Sequence, residues 1–305
     1  MNVLLTRRIP SSVLSKLALL HDVELFDGPS PIPEDELRRR IADKHALICL
    51  LTEKVSAETM AAASDLKIVA NIAVGYDNID VAAARARGIV VTNTPDVLTE
   101  ATAEFTWALI LAAARRLGEG ERLLRRGEWR GWALDFLLGT ELRGKQLGII
   151  GRGRIGLAVA AKAPAFGMTA VFAKHDLSLD ELLVSSDVIS IHVPGGSDTH
   201  HLIDRKRLAR MKRSAILVNT SRGSVVDEEA LAWALKERLI AAAALDVYER
   251  EPAVPQALLE MESVILAPHL GSATRETRTA MADLAVANVL AVLDGRPAKT
   301  PVWQS

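Results

Sequence analysis

The chain has 305 residues, 49% of them hydrophobic and 25% charged, with 37 Lys and Arg against 38 Asp and Glu for a net charge of −1. It is too apolar for disorder and too balanced for a general attraction to nucleic acid or an acidic membrane surface. Cys49 is the single cysteine, which excludes an intrachain disulfide and a cysteine-based zinc cluster. The length suggests about two domains. No apolar stretch follows Met1–Arg8 as a leader would require, and the longest uncharged run in the middle, Phe105–Ala114, is about half a membrane span. A soluble cytoplasmic chain, with no nucleic-acid or membrane partner, is expected.

In chain order, short β-type runs at Val3–Leu5, Ala46–Leu51, Ile68–Ala70 and Ile89–Val91 predict strands, with a helix at Glu34–Ala42. A long helix is predicted from near Thr99 through Ala101–Arg116. It is apolar nearly all round, which predicts burial between bodies. Gly118–Gly144 follows, with Arg122, Arg125, Arg126 and Arg130 beside Trp129 and Trp132. It reads either as a solvated charged segment or as a dimerisation arm, since Trp with interspersed Arg is the composition of interface anchors. Further strands are predicted at Leu147–Ile150, Ala170–Ala173, Val188–Val193, Ala215–Val218, Ala242–Val247 and Ser263–Ala267. Helices at Ile155–Ala165, Leu179–Ser186 and Glu228–Glu237 lie between them. A last helix follows Ser272 and runs to about Asp294, stopped by Gly295 and Pro297. Apolar strands alternating with helices make this an α/β chain whose parallel sheets are covered on both faces.

The sharpest motif is Gly151-Arg-Gly153-Arg-Ile-Gly156, which follows an apolar strand and opens a helix. In that context Gly151 permits a tight turn, Gly153 lets backbone approach a pyrophosphate, and Gly156 allows close helix–strand packing. The helix start then holds the phosphates. A carboxylate for the adenosine ribose is due about 20 residues on. Instead Lys174 stands 18 residues past Gly156, followed by His175 and Asp176. A cation there suits a 2′-phosphate and puts NADP(H) ahead of NAD(H). The competing readings give the ribose to Asp176 or leave Lys174 facing water.

Three polar groups follow the ends of successive strands: Arg222 after Ala215–Val218, Glu251 after Ala242–Leu245, and His269 after Ser263–Ala267. Ligands of an open α/β sheet bind beyond the carboxyl ends of its strands, so these three can converge. His192 lies within an apolar strand and reads as a core residue, and His21, His45 and His175 as surface or turn residues. His200 and His201 are adjacent and so are not expected to share a face, and no carboxylate or cysteine makes a metal-ligand pattern with them.

Over almost its whole length the chain resembles the D-isomer-specific 2-hydroxyacid dehydrogenase family. The resemblance rests on Gly151–Gly156, Asn219-Thr-Ser-Arg-Gly-Ser-Val-Val-Asp227, Leu245-Asp-Val-Tyr-Glu-Arg-Glu-Pro252 and Pro268-His-Leu-Gly-Ser272. The segments 73–80 and 94–104 look most like the glyoxylate and hydroxypyruvate reductase branch. The resemblance implies two doubly wound parallel-sheet domains: a Rossmann nucleotide domain, 99–274, inserted into a flavodoxin-like substrate domain, 1–98 plus 275–305. It implies NAD(P)H-dependent reduction of small 2-keto acids to D-2-hydroxy acids. Arg222 would anchor the substrate, His269 would be the general acid and base, and Glu251 would bond the other imidazole nitrogen so that the imidazolium is populated near neutrality. Backbone N–H groups of Val74 and Gly75 would hold the substrate carboxylate. Asp246 would orient the nicotinamide carboxamide, Arg154 and Ile155 would contact the pyrophosphate, and His175, Pro194, Thr199, Thr220 and Gly271 would line the cofactor site.

The resemblance also implies a homodimer, with the segment around Trp129 and Trp132 reaching toward the neighbouring subunit. Two departures touch the cofactor side. The connection after Lys174 is shorter than the family's, and His192-Val-Pro194 is followed by Gly195-Gly-Ser rather than Leu-Thr-Pro. Alternatives are another D-2-hydroxyacid dehydrogenase, such as a phosphoglycerate enzyme without an added regulatory domain, or a dinucleotide-sensing binding protein. The absence of polar extensions at the termini speaks against the sensor, and Glu251 in place of Gln speaks against a formate dehydrogenase.

Overall fold

Both sheets of the computed structural model, which describes residues 1–303, are wholly parallel. The chain divides into two units: Met1–Leu98 with the segment from Thr274 onward, and Thr99–Ala273. Thr274 goes with the last helix rather than the segment before it, because its side chain caps that helix by accepting from the Thr277 N–H at 3.0 Å.

The first unit is built on β1 (Asn2–Leu5), β2 (Asp22–Leu25), β3 (Ala46–Cys49), β4 (Ile68–Asn71) and β5 (Val90–Thr92) in the order β2-β1-β3-β4-β5. This is the flavodoxin-like 2-1-3-4-5 order. Leu4, Leu47, Cys49, Val69 and Val91 pack with Leu37, Ile41 and Met60 in one buried cluster. The alternate residues Val3, Leu5, Ile48, Ile68 and Ala70 are equally buried, as a sheet covered on both faces requires. Helices Ser11–Ala18 and Arg275–Leu293 pack on each other and on this sheet.

The second unit holds β6 (Gln146–Ile150), β7 (Thr169–Phe172), β8 (Val188–Ile191), β9 (Ile216–Asn219), β10 (Ala242–Leu245) and β11 (Val264–Leu266), ordered β11-β10-β9-β8-β6-β7. The strands' period-two alternation feeds two cores. Ile189, Leu217 and Ala243 join one side with helix Glu228–Lys236, while Val188, Ile216 and Ala242 join the other with helix Thr99–Ala114. Each fully buried Leu, Ile or Val contributes about 1.5–3 kcal/mol.

Counted within the unit, the order is 2-1-3-4-5-6; against the usual dinucleotide-binding 3-2-1-4-5-6 it has one more strand at the β11 edge and lacks the outer strand beyond β7. The cause is local. Only Ala173–Ser178 separate β7 from helix Leu179–Ser185, and a parallel crossover needs about a dozen residues or more. Strand β7 is left as a half-exposed edge.

Helix Thr99–Ala114 is not enclosed all round as its composition predicts. It buries Thr102, Ala103, Thr106, Trp107, Leu109, Ile110, Ala113 and Ala114 within its own unit and exposes Glu104, Ala108 and Leu111. The Trp107 indole N–H donates to the Val159 carbonyl at 3.0 Å, and its ring stacks on Phe166. The helix predicted to reach Ala165 stops at Lys162 and tightens into a 3-10 turn over Ala163–Phe166, because Pro164 has no N–H to continue it.

Candidate active site

The strands of the second unit deliver their loops at one carboxyl edge, and the order reverses between β6 and β8. At that switch point Gly151 sits at φ +110°, a conformation closed to other residues, and a Cβ on it would lie 2.4 Å from the His192 carbonyl at the end of β8. A Cβ on Gly156 would lie 2.0 Å from the Gly151 carbonyl oxygen, so the helix is pressed onto the turn. A Cβ on Gly153 would meet nothing within 4 Å. Helix Arg154–Lys162 starts at Gly153 with no side-chain cap. Open space beside Gly153 and an uncapped helix start fit a pyrophosphate, with Arg154 and Ile155 in the first turn.

At the end of β7 the chain turns sharply. Lys174 adopts φ +63°, its N–H donates to the Leu177 carbonyl at 2.7 Å, and its side chain is exposed. The Asp176 carboxylate accepts from His175 Nδ1 at 2.7 Å and from the Phe172 N–H at 2.8 Å. The His175 bond and then the Phe172 N–H hold Asp176 below the usual carboxylate range. Both of its oxygens are thus engaged in closing the turn. Arg152, which the glycine motif hides as a variable position, lays its guanidinium over the Phe172 ring. Lys174 and Arg152 make this end cationic.

Further along the edge, the Thr199 hydroxyl donates to the Pro194 carbonyl at 2.7 Å and closes its own loop, while Thr220 shares a 3.0 Å hydroxyl contact with Thr106. His192 bonds Ser190 Oγ at 2.8 Å, and removal of its ring from water pushes it down to about 3, so it is a neutral, satisfied residue.

Arg222, Glu251 and His269 come together. Strand β9 ends at buried Asn219, whose amide donates to the Arg222 carbonyl at 2.8 Å and accepts from the Ser221 N–H at 3.0 Å. Gly223 follows directly. A Cβ there would lie 1.8 Å from the Tyr248 carbonyl carbon, so the Arg222 loop rests on the backbone of the loop that carries Glu251. The Tyr248 hydroxyl donates to the Ala267 carbonyl at 3.0 Å and ties the ends of β10 and β11, and burial pushes the phenol up to about 12.

His269 Nδ1 lies 3.0 and 3.2 Å from the two Glu251 oxygens, and Glu251 Oε1 also accepts from the Tyr248 N–H at 3.1 Å. Burial alone would push the Glu251 carboxyl up. The bonds from His269 and Tyr248 and the charge of Arg222 bring it below its ordinary value, so it is ionised beside the imidazole.

Asp246, also buried, organises the turn at His269. Its backbone carbonyl accepts from the His269 N–H at 2.9 Å, and its carboxylate accepts from the Leu270 and Gly271 N–H groups at 2.6 and 2.8 Å. His269 stands at φ +56°. That conformation costs on the order of 1–2 kcal/mol, and hydrogen bonds to a charged group contribute about 1.5–3 kcal/mol each. The turn is therefore held. Burial pushes the Asp246 carboxyl up despite those bonds. Each of its oxygens keeps one lone pair for a further donor.

Val74 and Gly75 lie in the other unit, on the loop after β4. Asn93 donates to the Val74 carbonyl and Asn71 to the Gly75 carbonyl, each at 2.8 Å, which fixes the loop's peptide planes. Among the described residues no acceptor faces the N–H of Val74 or Gly75.

The sequence reading of His200 and His201 is corrected. His201 adopts φ +47°, which swings consecutive side chains together, and their rings stack at 4.0 Å. Glu249, from the loop after β10, joins them. Neither Arg152 nor the pinning role of Asn71, Asn93 and Asn219 was anticipated. A buried Asn as the last residue of a strand is the signal that would have found Asn71 and Asn219. A cavity of about 680 Å³ at the opposite edge, lined by Arg116, Arg213, Lys236, Arg238 and Glu262 among others, contains none of the predicted site residues.

The sequence model of the D-isomer specific 2-hydroxyacid dehydrogenase NAD binding domain matches residues 107–271. A glyoxylate reductase of Aeropyrum pernix is 48% identical over 312 residues, covering 96% of this chain and 93% of the relative. One from Thermococcus litoralis is 45% identical, covering 96% and 94%. A crystal structure of a Thermus thermophilus protein superposes with a TM-score of 0.94 at 46% identity, covering 99% and 100%. The NADPH-dependent glyoxylate/hydroxypyruvate reductase of Sinorhizobium meliloti, in complex with NADP and malonate, gives 0.88 at 37% identity, covering 99% and 96%.

Proposed function

The chain belongs to the D-isomer specific 2-hydroxyacid dehydrogenase family, and on that footing we propose that it reduces small 2-keto acids, glyoxylate and hydroxypyruvate first, to D-2-hydroxy acids. The observation that carries this reading is the His269–Glu251 pair at 3.0 Å with Arg222 on the adjoining loop. A reduced nicotinamide dinucleotide bound by the Gly151–Gly156 turn supplies the hydride. Arg222 anchors the keto acid through its planar fork, and the N–H groups of Val74 and Gly75 are donors suited to its carboxylate. Glu251 holds Nδ1 of His269 in place, which leaves Nε2 to give its proton to the carbonyl oxygen. In the oxidative direction the same nitrogen takes the proton back. Asp246 holds the His269 turn, and its remaining lone pairs suit a carboxamide donor. In this reading the unit Thr99–Ala273 takes the cofactor and the other unit the substrate.

NADP(H) is placed ahead of NAD(H). The β7 end offers Lys174, His175 and Arg152 to a 2′-phosphate, while both oxygens of Asp176 already accept bonds that close its turn. The working form is a homodimer. In the 117–144 segment Trp132 is 80% and Leu134 82% exposed, while Arg122 and Arg126 are tied to Glu262. Beside the exposed Arg130 and Asp135 the segment projects Trp129, Trp132, Leu134 and Leu138, an apolar surface for which a second copy is the partner that fits. No helix among the described residues is long and apolar enough to cross a membrane. A cytoplasmic setting suits a chain whose one cysteine is a buried thiol.

The test is His269→Ala, assayed by loss of reduced-nicotinamide absorbance with glyoxylate or hydroxypyruvate. Turnover is expected to fall by about 10²–10⁴ with NADPH affinity retained. Turnover near the parent level would overturn the assignment.

A further inference from the structure

We propose that His200, His201 and Glu249 form a binding site for one transition-metal ion of the zinc class on the surface of the second unit, made of residues other than those assigned to substrate and dinucleotide. Two loops build it. The left-handed turn at His201 brings both imidazoles to one side, and the His201 N–H fastens that turn to the Ser224 carbonyl at 2.8 Å. Glu249 arrives from the loop after β10, its own N–H held by Glu228 Oε1 at 2.9 Å. Both Nε2 atoms approach the same carboxylate oxygen, Glu249 Oε1, at 3.1 Å for His201 and 3.7 Å for His200.

These separations suit a metal. Zinc binds imidazole nitrogen at about 2.0–2.1 Å and carboxylate oxygen at about 2.0–2.2 Å, so two ligands of a tetrahedral site lie about 3.3–3.5 Å apart. The two observed N–O separations bracket that edge, and all three donor atoms lie within 4.8 Å of one another. Two imidazoles and a carboxylate are a donor set that suits zinc and its neighbours, not calcium or magnesium. His200 is exposed and the other two residues half-buried, so water can complete the coordination. A bound ion would clip the loop containing Thr199 to the one containing Glu251, with the Gly223 backbone packed beneath.

The experiment is a titration of chelator-stripped, tag-free protein with Co²⁺, followed by its visible d–d absorption, with Zn²⁺ as competitor. A tetrahedral-type band saturating at a single ion per chain and displaced by Zn²⁺ is expected. His200→Gln and Glu249→Gln should each weaken binding by on the order of tenfold or more. Thermal unfolding is read alongside. Zn²⁺ should raise the melting temperature of the parent but not of the variants, and all three should melt alike in EDTA, which shows that the variants fold. Absence of the band, or a band unchanged in both variants, would overturn the site.

Discussion

The glycine turn after β6 allows its two functions, supporting the fold and admitting a ligand, to be separated by one methyl group at a time. In Gly156→Ala the new Cβ would sit 2.0 Å from the Gly151 carbonyl oxygen and 3.3 Å from Ile149 Cγ2. The first contact is backbone, so no side chain can swing away, and helix and turn must part by more than about 1 Å to reach ordinary contact. Overpacking of this kind costs about 1–3 kcal/mol, and a backbone clash belongs at the upper end. The gain from Ala over Gly in a helix is about 1 kcal/mol. A net loss of about 2 kcal/mol remains, which for a unit of this size lowers the melting temperature by about 4–8 °C. Gly153→Ala meets nothing within 4 Å, and its φ of −82° is open to any residue. Its melting temperature without dinucleotide should stay within about 2–4 °C of the parent, a change of about 1 kcal/mol. The methyl group should instead weaken NADPH binding by about tenfold or more, equal to about 1.4 kcal/mol. Melting curves of the apo variants and NADPH fluorescence titrations give both quantities. Parent-like NADPH affinity in Gly153→Ala, or equal loss of stability in both variants, would refute the reasoning.

Three further outcomes are expected. Lys174→Asp should weaken NADPH binding much more than NADH binding in parallel titrations, and equal effects would remove Lys174 from the 2′-phosphate reading. Trp132→Glu, which places a charge on the exposed apolar arm, should convert a dimer to a monomer by analytical ultracentrifugation; an unchanged mass would place the interface elsewhere. Burial, with repulsion from Glu249 and Glu251, pushes the Glu228 carboxyl up. The fold therefore favours its protonated form, and that stability is present below the unfolded pKa and lost as pH rises through the folded one. Glu228→Gln keeps the acceptor for the Glu249 N–H and should raise the melting temperature at pH 7, with the advantage vanishing as the pH is lowered to about 4. An advantage that grows on acidification would contradict the sign.

The strands that are buried on both faces were legible because burial on both faces leaves an unbroken apolar run, as in Ala46–Cys49 and Ala242–Leu245. Strand β2 was not, since Asp22-Val-Glu-Leu25 is a half-exposed edge that alternates polar and apolar residues. Arg222, Glu251 and His269 could be placed because each follows the end of a strand in one sheet, and sheet order alone brings such loops together. Lost to the sequence were features set by a backbone sign or a long-range contact. The positive φ at His201 reverses the usual rule that neighbours face apart, and the double commitment of Asp176 depends on how tightly the chain turns after β7.

The discontinuity of the first unit bears on how the chain folds. Helix Arg275–Leu293 packs on β3, β4 and β5, burying Met281, Ala282, Ala285, Val286 and Val289, and Asp283 pairs with Lys16 from the first helix. Those contacts join residues more than 180 positions apart, so they close only after the whole second unit has been made. During synthesis from the N-terminus, the contiguous Thr99–Ala273 unit can consolidate while β1–β5 still lack this helix, and late docking of Arg275–Leu293 then covers the sheet. The unit translated first is thus the one completed last, which makes its apolar strands the stretch most exposed to misassembly along the way.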